Sequence, residues 1–142
     1  MIELLLTCSL LSSVSFELDT IQDIKRVSQQ CELVEEVQEW IPQISEHFHT
    51  EDEALALTVM YCESRGYPKA VNVNRDGSLD RGLFQFNTNT EAWLEKDIFK
   101  RDLDIFNPKI NIRTAAWLVL NDGWHHWNAS KHCWGKYDKS EQ

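Results

Sequence analysis

The sequence has no apolar run long enough to cross a bilayer, which takes about 20 residues in a helix. The stretch nearest to one, Leu4 to Leu11, is far too short, so no stable membrane insertion is expected. A basic patch is also absent. Residues 17–53 hold eleven acids and two bases, a local balance of −9. Residues 54–142 hold eleven acids and twelve bases and are nearly neutral, and Glu3 completes the formal net charge of −9. Binding to phosphates needs a cationic surface, so nucleic acid is excluded as a partner. The positive field that would steer a protein onto an anionic surface is missing too. Internal repeats and low-complexity stretches are absent. Cysteine is scarce, with only Cys8, Cys31, Cys62 and Cys133. An exported chain has room for a disulfide; a retained one would hold these as buried thiols.

What is present suits one domain. The 142 residues can bury a real core, and a hydrophobic share of 42% is ordinary. Residues 1–15 read as a possible signal peptide, with Ser13-Val14-Ser15 offering small residues before Phe16. Against this, Glu3 is negative and no Lys or Arg precedes the apolar run, so the same segment reads equally as the start of a buried helix. Residues 16–49 form an acidic helical segment. Leu18, Ile21, Ile24, Val27, Cys31, Val34, Val37 and Ile41 recur every three or four residues, which predicts an amphipathic helix that Pro42 interrupts. Thr50 and Glu53 match a capping box. The helix that follows is apolar nearly all round, and it ends near Gly66 with Glu63 in its last turn. Val71 and Val73 alternate with Asn72 and Asn74 ahead of an Asp76-Gly77 turn, predicting a hairpin with Leu83, Phe84 and Phe86 as an apolar return segment. Thr90 is the expected cap of a short helix through Trp93. Asn107-Pro108 starts another helix that stops near Gly123. The fold class is α+β, mainly helical, with one small β-hairpin and an extra N-terminal amphipathic helix.

The chemistry centres on two carboxylates. A charged Glu63 on a buried helix costs several kcal/mol unless it is paired or takes up a proton. Position alone leaves two readings open: pairing with Arg65, or a raised pKa that would suit a general acid. Asp80 follows seventeen residues later in a polar stretch rich in Asn and Ser, a setting that keeps a carboxylate ionised. Carboxyls in opposed environments are the acid and base pattern of glycoside cleavage.

The strip Glu63-Ser64-Arg65-Gly66 and then Asn72-Val73-Asn74-Arg75-Asp76-Gly77-Ser78-Leu79-Asp80-Arg81-Gly82-Leu83-Phe84-Gln85-Phe86-Asn87 resembles the active-site region of the lysozyme-like superfamily. Animal-type lysozymes carry a Glu-Ser followed by a hairpin of this pattern and spacing. The Glu-Ser with Gly-Leu-Phe-Gln is also similar to bacterial and phage lytic transglycosylases. The resemblance covers residues 54–135 and implies a lysozyme-like catalytic domain over 50–142. It implies Glu63 as general acid and Asp80 as nucleophile or ion-pair stabiliser. Asn72, Asn74, Gln85, Asn87 and Trp93 would bind sugar, and Trp124 would pack on Glu63 and raise its pKa. Asn111 resembles a helix Asn that follows the hairpin in many relatives, and Cys62 with Cys133 is the disulfide candidate. Hairpin-internal bonding is the competing use of the asparagines. The low cysteine count and the acidic helix depart from animal enzymes and favour a phage or bacterial relative.

The implied function is a peptidoglycan-cleaving muramidase acting on β-1,4 bonds between N-acetylmuramic acid and N-acetylglucosamine. A lytic transglycosylase forming 1,6-anhydro products is the alternative, and a non-catalytic sugar- or calcium-binding module is another. Asn72-x-Asn74-x-Asp76-Gly77-x-x-Asp80 resembles the start of an EF-hand loop, but Leu83 stands where the closing Glu is needed. His125, His126, His132 and Cys133 match no common zinc spacing, and neighbouring His125 and His126 would point apart on a helix. No metal and no cofactor is therefore expected. Asn128-Ala129-Ser130 is a glycosylation sequon, meaningful only in a eukaryotic secretory route. The expected partner is the glycan strand, and the expected state is a monomer that is secreted, periplasmic or phage-delivered to the cell wall.

Overall fold

The computed structural model describes residues 31–135, apart from Val34. The possible leader over residues 1–15, the amphipathic pattern from Leu18 to Val27, and Cys8 lie outside the described residues. Residues 31–33 and 35–37 are helical. Val37, of the predicted stripe, and Leu33, outside it, are buried there, while Glu32, Glu35 and Glu36 are exposed, so the segment is amphipathic with an acidic outer face. The α-helix is interrupted just ahead of Pro42, as expected. A 3-10 turn at Gln38–Trp40 leads straight into helix α1, Ile41–His47, and Pro42 sits in its first turn. There a missing N–H costs nothing and the fixed φ suits the helix.

Helix α2 spans Thr50–Ser64. The capping box does not form: His49 is the N-cap, without a side-chain cap bond, and Glu53 accepts from Ser45 Oγ at 3.1 Å. Glu51, Asp52 and Glu53 instead place negative charge against the positive end of the helix dipole. The continuous run Ala56 to Met60 is buried, as expected of a central helix. The helix ends at Arg65 in the left-handed region, followed by Gly66. A Cβ on Gly66 would lie 2.5 Å from the Glu36 carbonyl oxygen, so the 31–37 segment can approach the end of α2 only over a bare backbone.

Three short antiparallel strands follow, in the order β1 (Val71–Val73), β2 (Leu79–Arg81) and β3 (Phe86–Asn87). Asn72 stands opposite Asp80, and Asp80 opposite Asn87. The Asp76-Gly77 turn forms where predicted, but the strand returning from it is Leu79–Arg81, and of the expected return residues Leu83, Phe84 and Phe86 only Phe86 enters a strand, the third. Helix α3, Thr88–Trp93, is capped by Asn87, whose side chain accepts from Asn89 N; the expected cap, Thr90, lies inside the helix. A π-helical stretch, Leu94–Phe99, continues it. Helix α4, Pro108–Asp122, begins and ends as predicted, with Asn107 as its cap and Gly123 after its last residue. A kinked 3-10 segment, Trp124–Ser130, and helix α5, Lys131–Trp134, close the described chain.

The helices before and after the sheet meet the end of the hairpin region in one hydrophobic cluster. Val59 and Met60 of α2, Ile112 and Leu118 of α4, and Leu83 and Phe84 after the hairpin lie fully buried in it. Leu33, Val37, Ile44 and Phe48, from before residue 50, belong to the same cluster. The result is a mainly helical α+β fold of the lysozyme-like type, with the small sheet set beside the C-terminal end of α2.

Candidate active site

Glu63 leaves the last turn of α2 and opens onto a cleft of about 680 Å³. Asp80, Asn74, Gln85, Asn87 and Trp127 line the same cleft. Two bonds fix the helix end against the hairpin loop. Ser64 Oγ, buried, donates to the Leu83 carbonyl at 2.7 Å, and Trp127 Nε1 donates to the Phe84 carbonyl at 2.9 Å.

The position-level ambiguity about Glu63 is resolved by where Arg65 goes. Its guanidinium turns away to Glu32, at 3.4 Å, and lies over the Tyr61 ring. Glu63 receives a hydroxyl instead: Ser130 Oγ donates to its Oε1 at 2.5 Å. Burial pushes the Glu63 carboxyl up to about 6, the nearby Asp80 charge pushes the same way, and the Ser130 bond partly opposes them. A carboxyl with this pKa holds its proton into the weakly acidic range and can surrender it to a basic atom in the cleft.

Asp80, on β2, is half-buried and accepts from Asn87 Nδ2 at 2.8 Å. Asn87 Nδ2 also reaches Ser78 Oγ at 2.9 Å. Asn74 donates to Ser78 Oγ as well, at 3.1 Å, and Ser78 in turn donates to Asp76 from both its backbone N–H and its hydroxyl. Those bonds hold the Asp76 carboxyl below its usual range. The hairpin asparagines therefore spend part of their capacity inside the turn, and they brace Asp80 on the cleft wall. The turn joins two strands, where an EF-hand loop joins two helices.

Gln85 is one of three non-glycine residues with positive φ among the described residues, at 49°. Its Nε2 donates to the Gly82 and Ala70 carbonyls, which locks the loop in that conformation. Behind it, buried Asn111 of α4 takes a defined role. Its Oδ1 accepts from Phe84 N at 3.0 Å and its Nδ2 donates to the Ile105 carbonyl at 2.9 Å. A Cβ on Gly82 would stand 2.3 Å from that Nδ2, so Gly82 and Asn111 fit only together.

Three of the expected site residues fall elsewhere: Trp124, expected to pack on Glu63, and the sugar-binding candidates Trp93 and Asn72. Trp124 is not part of the cleft lining: it stacks on Phe48, and its Nε1 donates to Asp52 at 3.1 Å. The indole at the cleft is Trp127, one 3-10 turn further on and buried among Phe84 and Phe86. The resemblance fixed a tryptophan in this segment but not the turn that carries it inward. Trp93, at the end of α3, and Asn72, exposed on β1, also lie outside the cleft lining. Ser130 went unnoticed except as the last residue of a sequon, since a lone serine carries no chemical signature until a partner is placed beside it. The Cys62–Cys133 disulfide is formed, with Cα atoms 6.0 Å apart. It ties the helix of Glu63 to the segment that supplies Ser130.

A helix ending in a half-buried protonatable glutamate, a facing aspartate on a hairpin, and a polar cleft between them is the layout of a glycan-cleaving site. The chain belongs to the transglycosylase SLT domain family, whose model matches residues 42–136. No curated protein and no solved structure matches the chain. The SLT match runs from α1 through α5 and so contains the whole cleft. SLT-domain proteins are lytic transglycosylases, and the chain is accordingly a lysozyme-like, peptidoglycan-cleaving enzyme. Its substrate lies in the cell wall, which points to action outside the cytoplasm. No helix among the described residues is long and apolar enough to cross a membrane.

Proposed function

We propose that this SLT-domain enzyme is a muramidase that hydrolyses the β-1,4 bond between N-acetylmuramic acid and N-acetylglucosamine, with Glu63 as the general acid. The observation that carries the proposal is the presence of two carboxyl groups in one cleft under opposed conditions. Glu63 is desolvated and raised to about 6, while Asp80 accepts a hydrogen bond from the Asn87 amide. Glu63 protonates the leaving glycosidic oxygen. Asp80 stabilises or attacks the oxocarbenium-like carbon, and water completes the reaction. Asn74, Asn87 and Gln85 line the path of the sugar, and Trp127 keeps the Glu63 side of the cleft apolar.

The SLT match itself favours a second reading. In a lytic transglycosylase the 6-hydroxyl of the substrate takes the place of water, and Glu63 acts alone. Digesting purified peptidoglycan and weighing the products separates the two. Reducing-end muramic acid supports hydrolysis; products lighter by one water, in the 1,6-anhydro form, overturn it. Asp80→Asn is expected to lower hydrolysis at least a hundredfold. An Asp80→Asn enzyme of near-normal rate would remove Asp80 from the mechanism. The extracytoplasmic substrate is reached by secretion, export to the periplasm or phage delivery.

Ser130 is the positioning residue of this scheme. Its bond favours the charged form of Glu63, so Ser130→Ala is expected to move the alkaline limb of the activity profile upward from about pH 6. Maximal turnover should fall about fivefold, the rate equivalent of one net hydrogen bond of about 1 kcal/mol. A lower rate with an unmoved limb would show that Ser130 serves only packing.

A further inference from the structure

At the C-terminal end of α4, Asp122, His125 and His126 converge. His126 Nε2 lies 2.8 Å from Asp122 Oδ2, and His125 Nε2 lies 3.4 Å from the same oxygen. The two imidazole rings lie side by side, tilted by 32° with centroids 4.3 Å apart. One ligand atom from each of the three residues falls within 4.8 Å of the others. The expectation that adjacent histidines point apart assumes an α-helix. Here the segment is 3-10, and both rings turn back across it to the last residue of α4.

We propose that Asp122, His125 and His126 form a binding site for a divalent transition metal ion of the zinc class. Zinc bonds of about 2.0–2.1 Å in a tetrahedron place neighbouring ligand atoms roughly 3.3 Å apart. The His125–Asp122 separation already has this value, and the His126–Asp122 contact has to open only by about half an ångström. Asp122 and His125 are exposed, so rotating them into place disturbs no packing. The electrostatics point the same way. A helix C-terminus carries the negative end of the dipole, and a carboxylate there is unfavourable unless a cation joins it. The donor set, two imidazole nitrogens and one carboxylate oxygen, suits zinc, copper or nickel rather than calcium or magnesium. Without an ion, each neutral ring can offer its Nε2 proton to Asp122. With an ion bound, the proton moves to Nδ1 and the Nε2 lone pair faces the metal. His132 and Cys133 take no part, because His132 Nδ1 contacts the Ala129 carbonyl and Cys133 is in the disulfide. His126 also lines the catalytic cleft, so the ion would sit at the cleft rim with a coordination position left open.

Calorimetric titration of zinc chloride into the untagged full chain tests this. One zinc ion per chain is expected, and His125→Ala, His126→Ala and Asp122→Asn should each weaken binding at least tenfold. Thermal unfolding of each variant without zinc should match the parent, and Asp122→Asn, which keeps the side-chain shape, serves if a histidine variant folds poorly. Absence of zinc binding to the parent overturns the site. So does binding that persists unchanged in the His125→Ala, His126→Ala double variant.

Discussion

Glu63→Gln is expected to lower turnover of peptidoglycan by at least a thousandfold while leaving the fold and glycan binding intact. Glutamine keeps the size of the side chain and a hydrogen-bonding partner for Ser130, but it has no acidic proton to give. Positioned acids contribute about 10²–10⁴-fold to such reactions, and Glu63 is the acid of this cleft that burial holds protonated up to about 6. Release of soluble muropeptides, alongside co-sedimentation with insoluble peptidoglycan, is the measurement. Near-normal release would remove Glu63 from the mechanism. The same substitution has a second, independent readout. In the folded protein the Glu63 carboxyl titrates at about 6, above its ordinary 4.5. The folded state therefore holds the proton more tightly than the unfolded chain. That contribution to stability is fully present below about pH 4.5 and is lost as pH rises through about 6, a change of roughly 2 kcal/mol. Glu63→Gln cannot titrate, so relative to the parent it should gain about that amount between pH 4 and pH 8 in urea denaturation. A difference between the two proteins that stays flat over this range would mean that Glu63 is not desolvated.

The parts of the fold that were legible in sequence are those governed by short-range rules. Asn107-Pro108 specifies a helix start through one side-chain acceptor and one fixed φ, and both act as expected. Asp76-Gly77 specifies a turn because Gly77 takes a φ of 84° without strain. The failures arise where a distant partner competes for the same atom. Glu53 is drawn from its capping role by Ser45 of α1, and Asn87, being the last residue of β3, preempts Thr90 as the cap of α3. At the site, motif spacing brought Glu63 and Asp80 to one cleft. It could not anticipate Ser130, 67 residues from Glu63, or choose between Trp124 and Trp127. The kink at Trp127 decides that choice, since its non-helical φ of −106° turns the indole inward to Phe84.

Breaking the Cys62–Cys133 disulfide by a Cys62→Ala, Cys133→Ala double substitution should produce the largest loss of stability of any change considered. The bond closes a loop with a sequence separation of 71. Chain-entropy arguments assign such a loop about 4 kcal/mol, and a loss of that size lowers the melting temperature of a domain this large by roughly 10–25 °C. The expected effect on activity is separate from unfolding. Cys62 precedes Glu63 in α2, and Cys133 lies three residues beyond Ser130, so the covalent tie and the Ser130–Glu63 hydrogen bond join the same two segments. With the tie gone, α5 is still held to the core through Trp134, which is buried and donates its Nε1 to the Trp127 carbonyl of the 3-10 segment. At temperatures well below melting the doubly substituted enzyme should therefore stay folded. Its turnover should nevertheless drop, and the alkaline limb of its pH profile should move upward, as in Ser130→Ala. Combining the double substitution with Ser130→Ala then discriminates the causes. If the disulfide acts by holding Ser130 against Glu63, the combined effect on the pH limb is no larger than that of Ser130→Ala alone. If the effects add in full, the two features stabilise the site independently.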